Sequence, residues 1–293
     1  MRRLPFATVD VFTNRPLEGN PLAVVPDARG LTDDEMLAVA REFNLSETTF
    51  VLRRDAATER SRGIRTRIFS TREEMPFAGH PTLGTAAVLR APGAEDAVSL
   101  ELNVGTVPVR FSQRGGATFG EMTQLDPTFG QVHDRQAVAE AIGVPPGEID
   151  ARTPIETVST GNPVAIVPFV RLATLQAWAP DLGRMGRYLK GTDARFFYAV
   201  CRETVAKDVQ LHARMVFYGG DDPATGSAGG PAAAWMVRHG LAASDSPVEI
   251  EQGLEVRRPS RIFARAEERG GRITNVRVGG FFAPVIHGEL LLP

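Results

Sequence analysis

The feature of this sequence that most constrains its fold is an internal repeat. Three anchor segments occur twice, in the same order and at nearly constant spacing: residues 19–26 and 161–168, residues 76–80 and 223–227, and residues 100–105 and 249–253. The first pair, GNPLAVVP and GNPVAIVP, differs only by conservative changes. Because repeated segments in a fixed order indicate a repeated structural unit, the chain is predicted to form two similarly folded halves that join near residue 126.

Within each half, strand-like and helix-like segments alternate. Short runs of β-branched and aromatic residues predict strands, among them residues 8–12, 22–25 and 49–52. Residues 31–44 predict a helix, because Thr32 and Glu35 form a capping box ahead of regularly spaced apolar residues. Residues 81–89 and 231–237 predict helices that are apolar on nearly every face and therefore buried. Strands around one buried helix, repeated, indicate an α+β fold with the functional site between the halves.

Composition and charge exclude several classes of protein. The 293 residues carry 33 Lys and Arg against 35 Asp and Glu, so non-specific binding to nucleic-acid phosphates has no electrostatic basis. The one cysteine, Cys201, excludes an intrachain disulfide and suits a reducing compartment. Asp10 interrupts the apolar stretch that follows the charged start, which argues against a secretion signal. We therefore expect a cytoplasmic protein that binds neither nucleic acid nor a membrane.

Each predicted buried helix is preceded by glycine and one small polar or imidazole residue, Gly79-His80 in the first half and Gly226-Ser227 in the second. The first amides of a helix lack intrahelical partners, and glycine lets an anion approach them closely. Two such helix starts facing one cleft would bind a carboxylate. Simple capping is the alternative for a single Gly-Ser pair, but its occurrence at matched places in both halves favours a ligand site.

Other site chemistries fit the sequence poorly. The chain has no phosphate-binding loop signature and no dinucleotide-binding glycine motif, and its histidines never fall at the spacing of a helical zinc site. Asp221 and Asp222 could bind Mg²⁺, although such a pair is more often solvated or capping. Ser227 lies in a Gly-x-Ser-x-Gly-like segment in which Thr225 replaces the first glycine. This replacement weakens the case for a serine hydrolase. Neither a transition-metal site nor a nucleotide-binding site is predicted.

Three segments carry a family resemblance: NLSETTF at residues 44–50, EMPFAGHPTLG at residues 74–84 and DPATGSA at residues 222–228. Together with Gly19-Asn20-Pro21 and Gln252-Gly253, they resemble the PhzF-like family, named for the isomerase of phenazine biosynthesis. The resemblance implies a diaminopimelate epimerase-like fold of two pseudo-symmetric lobes, each a mixed sheet wrapped around a central buried helix. It implies a first lobe of residues 1–126, to which a strand at 285–292 returns, and a second lobe of residues 127–284. It also implies cofactor-independent activity and a homodimer.

The resemblance also implies a set of site residues. Glu47 corresponds to the acid/base that moves a proton between substrate carbons, and a carboxyl group can do this if burial raises its pKa toward neutrality. The substrate-binding and proton-positioning residues of the family correspond to His80, Asp222 and Ser227, beside the turns at Gly79 and Gly226. His80 and Ser227 stand where related epimerases and racemases have two cysteines, so two-thiol racemisation is not expected.

Two functions are therefore expected from the sequence. The first is an isomerase that shifts a proton in a small cyclic or amino-acid-derived carboxylate, with trans-2,3-dihydro-3-hydroxyanthranilate as the best-known candidate substrate. The second is a non-catalytic metabolite-binding or protein-binding member of the same fold. Two departures from the family concern the substrate pocket: Asp221 replaces the usual glutamate, and the loop at residues 217–220 is shorter than in the phenazine enzyme.

Overall fold

The computed structural model describes residues 1–90, 96–217 and 220–293. Their contacts divide the chain into two compact units: residues 1–123 with 279–293 form unit 1, and residues 124–278 form unit 2. None of the helices in these described ranges is long and apolar enough to cross a membrane.

The secondary structure is dominated by β-strands. The strands are β1 (Arg2–Val11), β2 (Asn20–Val25), β3 (Glu47–Val51), β4 (Ile64–Ser70), β5 (Glu74–Met75), β6 (Ala97–Leu102), β7 (Gly105–Arg114), β8 (Ala117–Thr123), β9 (Thr128–His133), β10 (Ile155–Ser159), β11 (Pro163–Phe169), β12 (Phe196–Cys201), β13 (Leu211–Phe217), β14 (Gly220–Asp221), β15 (Val248–Gln252), β16 (Ser260–Arg269) and β17 (Arg272–Leu292). The α-helices are α1 (Asp33–Phe43), α2 (Ala56–Arg62), α3 (Gly79–Leu89), α4 (Arg135–Ile142), α5 (Leu172–Ala177), α6 (Leu182–Leu189) and α7 (Gly226–Arg238), and Pro146–Glu148 form a 3₁₀ turn.

The strands of unit 1 pair in the order β17–β1–β2–β3–β4–β6–β7–β8, and β8 pairs in turn with β17. The β2–β3 and β4–β6 pairs are parallel. Helix α3 contacts β1, β2, β3, β6, β7 and β8, which explains why its sequence has no polar face. The backbone of α3 lies close to the sheet at Gly84, where an added Cβ would come within 2.7 Å of the Leu22 side chain.

Unit 2 repeats this series of pairings. Its strands follow the order β9–β10–β11–β12–β13–β15–β16, with β11–β12 and β13–β15 as the parallel pairs. Helix α7 contacts β10, β11 and β16. The first repeated anchor contains β2 in unit 1 and most of β11 in unit 2. The second anchor leads into α3 in unit 1 and α7 in unit 2. The repeated sequence segments therefore occupy matching places in two matching series of strand pairings.

The helix predicted at residues 31–44 forms with its capping box: α1 follows Thr32, whose side chain accepts from Glu35 N, and Asn44 ends it in a left-handed conformation. The predicted starts of the two buried helices were wrong. Helix α3 begins at Gly79 and α7 at Gly226, before the predicted first residues Pro81 and Pro231. Pro231 lies inside α7, and because proline has no N–H, the carbonyl of Ser227 lacks its usual intrahelical donor.

The C-terminal part of β17 pairs antiparallel with β1, from Val11 opposite Phe282 to Arg2 opposite Leu292. The chain thus returns to unit 1 after completing unit 2. The loop predicted to be shortened includes Tyr218 and Gly219, which lie outside the described residues.

Candidate active site

Glu47 and His80 come together inside unit 1. Glu47 is the first residue of β3, a strand that is buried along its length and pairs with β2 on one side and β4 on the other. His80 is the second residue of α3. The His80 Nε2 atom lies 3.5 Å from Glu47 Oε2, and the two side chains are only 3% and 7% exposed. The structure therefore pairs a buried carboxyl group with a buried imidazole.

The ring of His80 is held from its other side by Asn20, the first residue of β2. The Asn20 Nδ2 atom lies 3.1 Å from His80 Nδ1, and Asn20 is fully buried. Burial lowers the pKa of His80 to about 3, so the ring is neutral near pH 7. Its approach to Glu47 is therefore a contact between a neutral imidazole and a carboxyl group and not an ion pair.

Asp222 belongs to a second polar cluster, in unit 2. It follows β14, and its N–H donates to Met215 O at 2.8 Å. Its Oδ2 accepts from Thr225 Oγ1 at 2.6 Å, and its backbone carbonyl accepts from Gln252 Nε2 at 2.7 Å. Both the main chain and the side chain of Asp222 are thus fixed before any ligand binds.

The side chain of Gln252 holds the segment between Asp222 and α7 in place through hydrogen bonds. Its Nε2 also donates to Thr225 Oγ1 at 2.9 Å, and its Oε1 accepts from Thr225 N and from Tyr198 OH, each at 3.2 Å. The next residue, Gly253, has a φ of +81°, and an added Cβ would lie 2.5 Å from Pro223 O. These contacts explain why a Gln-Gly pair is needed at the end of β15.

Ser227 is the second residue of α7 and is buried. The carbonyl of Gly226 accepts from Gln124 Nε2 at 3.0 Å, and Gln124 in turn accepts from Thr160 Oγ1 at 2.7 Å. Since Ala228 N and Gly229 N both donate to Thr225 O, the amides of Gly226 and Ser227 are the ones that lack an intrahelical acceptor.

The start of α3 likewise leaves two backbone amides without intrahelical acceptors. Thr82 N donates to Ala78 O, Pro81 has no N–H, and the amides of Gly79 and His80 precede the first intrahelical donor. Neither Ala78 nor Thr225 caps its helix through a side-chain hydrogen bond. Each helix therefore presents two uncapped amides at a buried, glycine-containing start, where the helix dipole favours an anion.

Asp221 has a different role from its neighbour. Its carboxylate accepts two hydrogen bonds from the buried Arg214 guanidinium, Nε to Oδ1 and Nη2 to Oδ2, both at 2.9 Å. Arg214 Nη1 also donates to the carbonyls of Leu175 and Trp178, each at 2.7 Å. Asp221 therefore balances the charge of Arg214, whereas Asp222 bonds to Thr225 and Gln252.

Two of the predicted site residues, Glu47 and His80, are thus in contact, and Asp222 lies three residues before the Thr225 that leads into Gly226 and Ser227. Sequence reasoning did not assign a role to Asn20, Thr225 or Gln252. The signal for Asn20 and Gln252 was their place in the motifs Gly19-Asn20-Pro21 and Gln252-Gly253. The prediction that the two helix starts open into one cleft stays a prediction.

A family model described as "Phenazine biosynthesis-like protein" matches residues 9–288 of the chain. The chain belongs to this phenazine biosynthesis-like family. The family predicted from the motifs is thereby confirmed, and the chain is matched over nearly its whole length.

Relatives in this family are named as isomerases. An uncharacterized isomerase from Mesorhizobium japonicum is 38% identical, with 100% of both chains covered. The trans-2,3-dihydro-3-hydroxyanthranilate isomerase of Pseudomonas aeruginosa is 35% identical, with 98% of this chain and 99% of the relative covered.

Solved structures agree with this assignment. A phenazine biosynthesis protein of the PhzF family from Bacillus anthracis has a TM-score of 0.88 at 28% identity, with 100% of both chains covered. A hydroxyproline epimerase from Agrobacterium vitis, only 12% identical, has a TM-score of 0.62 and covers 99% of this chain and 91% of its own, which shows a shared fold. The mixed-sheet, epimerase-like fold class is thus confirmed.

Proposed function

We propose that this protein is a cofactor-independent isomerase that moves a proton between carbons of a small cyclic or amino-acid-derived carboxylate. The observation that carries the proposal is the buried Glu47 carboxyl group 3.5 Å from the neutral ring of His80. A carboxylate can remove a C–H proton, the electron pair of that bond shifts into a neighbouring double bond, and the carboxylic acid returns the proton to another carbon. The reaction is redox-neutral, so its balance needs no further reactant.

The two helix starts support a carboxylate substrate. Gly79 and His80 in α3, and Gly226 and Ser227 in α7, offer amides without intrahelical acceptors, and Ser227 adds a buried hydroxyl group. Negative charge that develops on a substrate during proton removal is stabilised by such fixed dipoles. Asp222, with its position set by Thr225 and Gln252, is proposed to orient a polar group of the substrate.

The residues also disfavour the two-cysteine chemistry of related racemases. Cys201 is the one cysteine in the sequence, and it lies in the apolar core of unit 2, where burial raises the pKa of its thiol. His80 and Ser227 occupy the positions at the two helix starts. A single carboxylate that both takes and returns the proton is the mechanism that these residues support.

We further propose that units 1 and 2 are the two pseudo-symmetric lobes of the family fold, with α3 and α7 as their central helices. The matching series of strand pairings supports this assignment. The substrate trans-2,3-dihydro-3-hydroxyanthranilate is the first compound to test, because a 35% identical relative carries its name. We also propose that the protein is a cytoplasmic homodimer.

The test is a panel of small cyclic and amino-acid-derived carboxylates, headed by that compound, incubated with the protein in D₂O and followed by NMR. We expect one class to show isomerisation with deuterium entering at the reacting carbon, at a rate that EDTA does not change. Tight binding of a compound without isomerisation or deuterium entry would support the non-catalytic alternative. Activity that EDTA abolishes and one divalent ion restores would contradict the cofactor-independent mechanism.

A further inference from the structure

We infer that Asn20 is a positioning residue that fixes His80 as the tautomer with its proton on Nε2, the ring nitrogen 3.5 Å from Glu47 Oε2. This inference deepens the proposed function, since it assigns the proton arrangement of the pair on which that function rests. It concerns a residue 60 positions from His80 in the sequence, joined to it only by the fold.

The placement of the Asn20 side chain is rigid. Asn20 begins β2, is opposite Val11 of β1, and is fully buried. The preceding Gly19 has a φ of +69°, and an added Cβ there would lie 2.4 Å from Val11 O. A residue other than glycine could not make this close turn, so the backbone delivers the Asn20 amide to one position beside α3.

The contact of Asn20 with His80 determines which ring nitrogen carries the proton. A neutral imidazole has one donor nitrogen and one acceptor nitrogen. Asn20 presents its amide nitrogen, a donor, 3.1 Å from His80 Nδ1. Nδ1 is therefore the acceptor, and the proton lies on Nε2.

The other side of the ring agrees with this assignment when Glu47 is in the ionised form that the proposed function requires for proton removal. Nε2 lies 3.5 Å from Glu47 Oε2. A bare Nε2 lone pair facing an ionised carboxylate would be repelled, whereas an N–H is attracted. The Asn20 amide and the Glu47 carboxylate thus select the same tautomer from opposite edges of one buried ring.

This arrangement suits a proton shuttle. A neutral ring 3.5 Å from Glu47 lacks the full charge of an imidazolium, which would stabilise a carboxylate and reduce its basicity. The role is comparable to that of residues that hold a catalytic histidine in one tautomer, where the wrong tautomer lowers turnover by roughly 10⁴-fold.

The experiment reads the tautomer directly. The histidine ring nitrogens of ¹⁵N-labelled protein are observed by NMR near pH 7, and His80 is assigned by the signal lost in His80→Gln. We expect a neutral ring protonated at Nε2 and bare at Nδ1. A wild-type ring protonated at Nδ1 would overturn the inference, and this measurement needs neither a variant of Asn20 nor a substrate.

Asn20→Asp then tests the cause, read at a pH at which the new carboxyl group is ionised, because a carboxylate can only accept and requires a proton on Nδ1. We expect the ring to become the Nδ1–H tautomer or the doubly protonated form, and turnover to fall by roughly 10²- to 10⁴-fold with ligand affinity changed much less. Asn162→Asp, at the repeat counterpart in unit 2, is the matched control for a buried new carboxyl group and should leave the His80 spectrum unchanged.

An Asn20→Asp protein that is folded, has its new carboxyl group ionised as read from the ¹³C carboxyl shift, and keeps the wild-type His80 spectrum would show that Asn20 does not set the tautomer. The two proposals fail separately. If no compound of the panel is isomerised, the tautomer result still stands. If the His80 ring is protonated at Nδ1 while Glu47→Gln abolishes turnover, the proposed isomerase function is supported and the role assigned to Asn20 is rejected.

Discussion

The Arg214–Asp221 pair provides a prediction whose magnitude follows from its geometry. The guanidinium is only 5% exposed and the carboxylate 18%. Asp221→Asn keeps the shape of the side chain but leaves the buried positive charge of Arg214 without its counter-charge. Removal of one partner from a buried ion pair costs about 3 to 5 kcal/mol. Because Arg214 keeps its bonds to the carbonyls of Leu175 and Trp178, we expect a loss near the low end, about 3 kcal/mol, or roughly a 100-fold shift in the folding equilibrium.

Urea unfolding followed by tryptophan fluorescence measures this loss where it should occur. Both tryptophans of the chain, Trp178 and Trp235, lie in unit 2, and the Arg214 guanidinium lies 5.4 Å from the centre of the Trp178 ring. Asp221→Glu keeps the charge and adds one methylene, so we expect a loss of only about 1 kcal/mol from local repacking.

Asp150→Asn is the matched control. It removes the charge of another carboxylate paired with arginine in unit 2, but its partner Arg152 is 78% exposed, so the loss should be much smaller. The effects of Asp221→Asn and Arg214→Met should also overlap strongly in a double-mutant cycle. An Asp221→Asn protein as stable as Asp150→Asn, or fully additive effects in the cycle, would refute the role assigned to this pair.

Two further predictions concern unit 2. Burial opposes charge on His212, but its hydrogen bonds to Glu255 and Glu251 outweigh it and raise the pKa of His212. The stability that this pairing adds is fully present below about pH 6.5, the unfolded-state pKa, and is lost as pH rises through the higher folded-state pKa. The urea midpoints of wild type and His212→Gln should therefore converge from pH 6 to 9. A constant difference between the two midpoints would contradict this. Gly253→Ala should destabilise the protein far more than Gly271→Ala. The two glycines have similar φ values, +81° and +77°, but of these two only Gly253 would place an added Cβ 2.3 Å from a carbonyl oxygen. Equal decreases in melting temperature would contradict the steric argument.

The duplicated organisation could be predicted from the sequence because the repeated segments mark equivalent structural places. Gly19-Asn20-Pro21 and Gly161-Asn162-Pro163 enter equivalent strands, and the apolar character of α3 reflects contact with six strands. The starts of the buried helices were harder to predict. Glycine is a poor helix former, so Gly79 and Gly226 resemble loop residues until tertiary packing holds them in the first turn.

The polar partners of the site were beyond sequence reasoning for a related reason. Asn20 and His80, or Arg214 and the carbonyls of α5, are distant along the chain, and only the pairing of strands brings them within hydrogen-bond distance. The resemblance supplied Glu47 and His80 as separate candidates. Their mutual contact depends on the start of β3 and on the first turn of α3, and the sequence predicted neither boundary.

The most direct test of the central claim is the single-turnover rate of Glu47→Gln on a substrate found in the panel, measured with ligand affinity and with deuterium entry from D₂O. Glutamine keeps the shape of the side chain but cannot accept and return a proton. We expect turnover and deuterium entry to fall by at least roughly 10²- to 10⁴-fold while the ligand still binds. Ser227→Ala should instead weaken ligand binding by about 1 to 3 kcal/mol. A folded Glu47→Gln protein that turns over at close to the wild-type rate, with deuterium still entering the product, would contradict the assignment of Glu47 as the proton carrier.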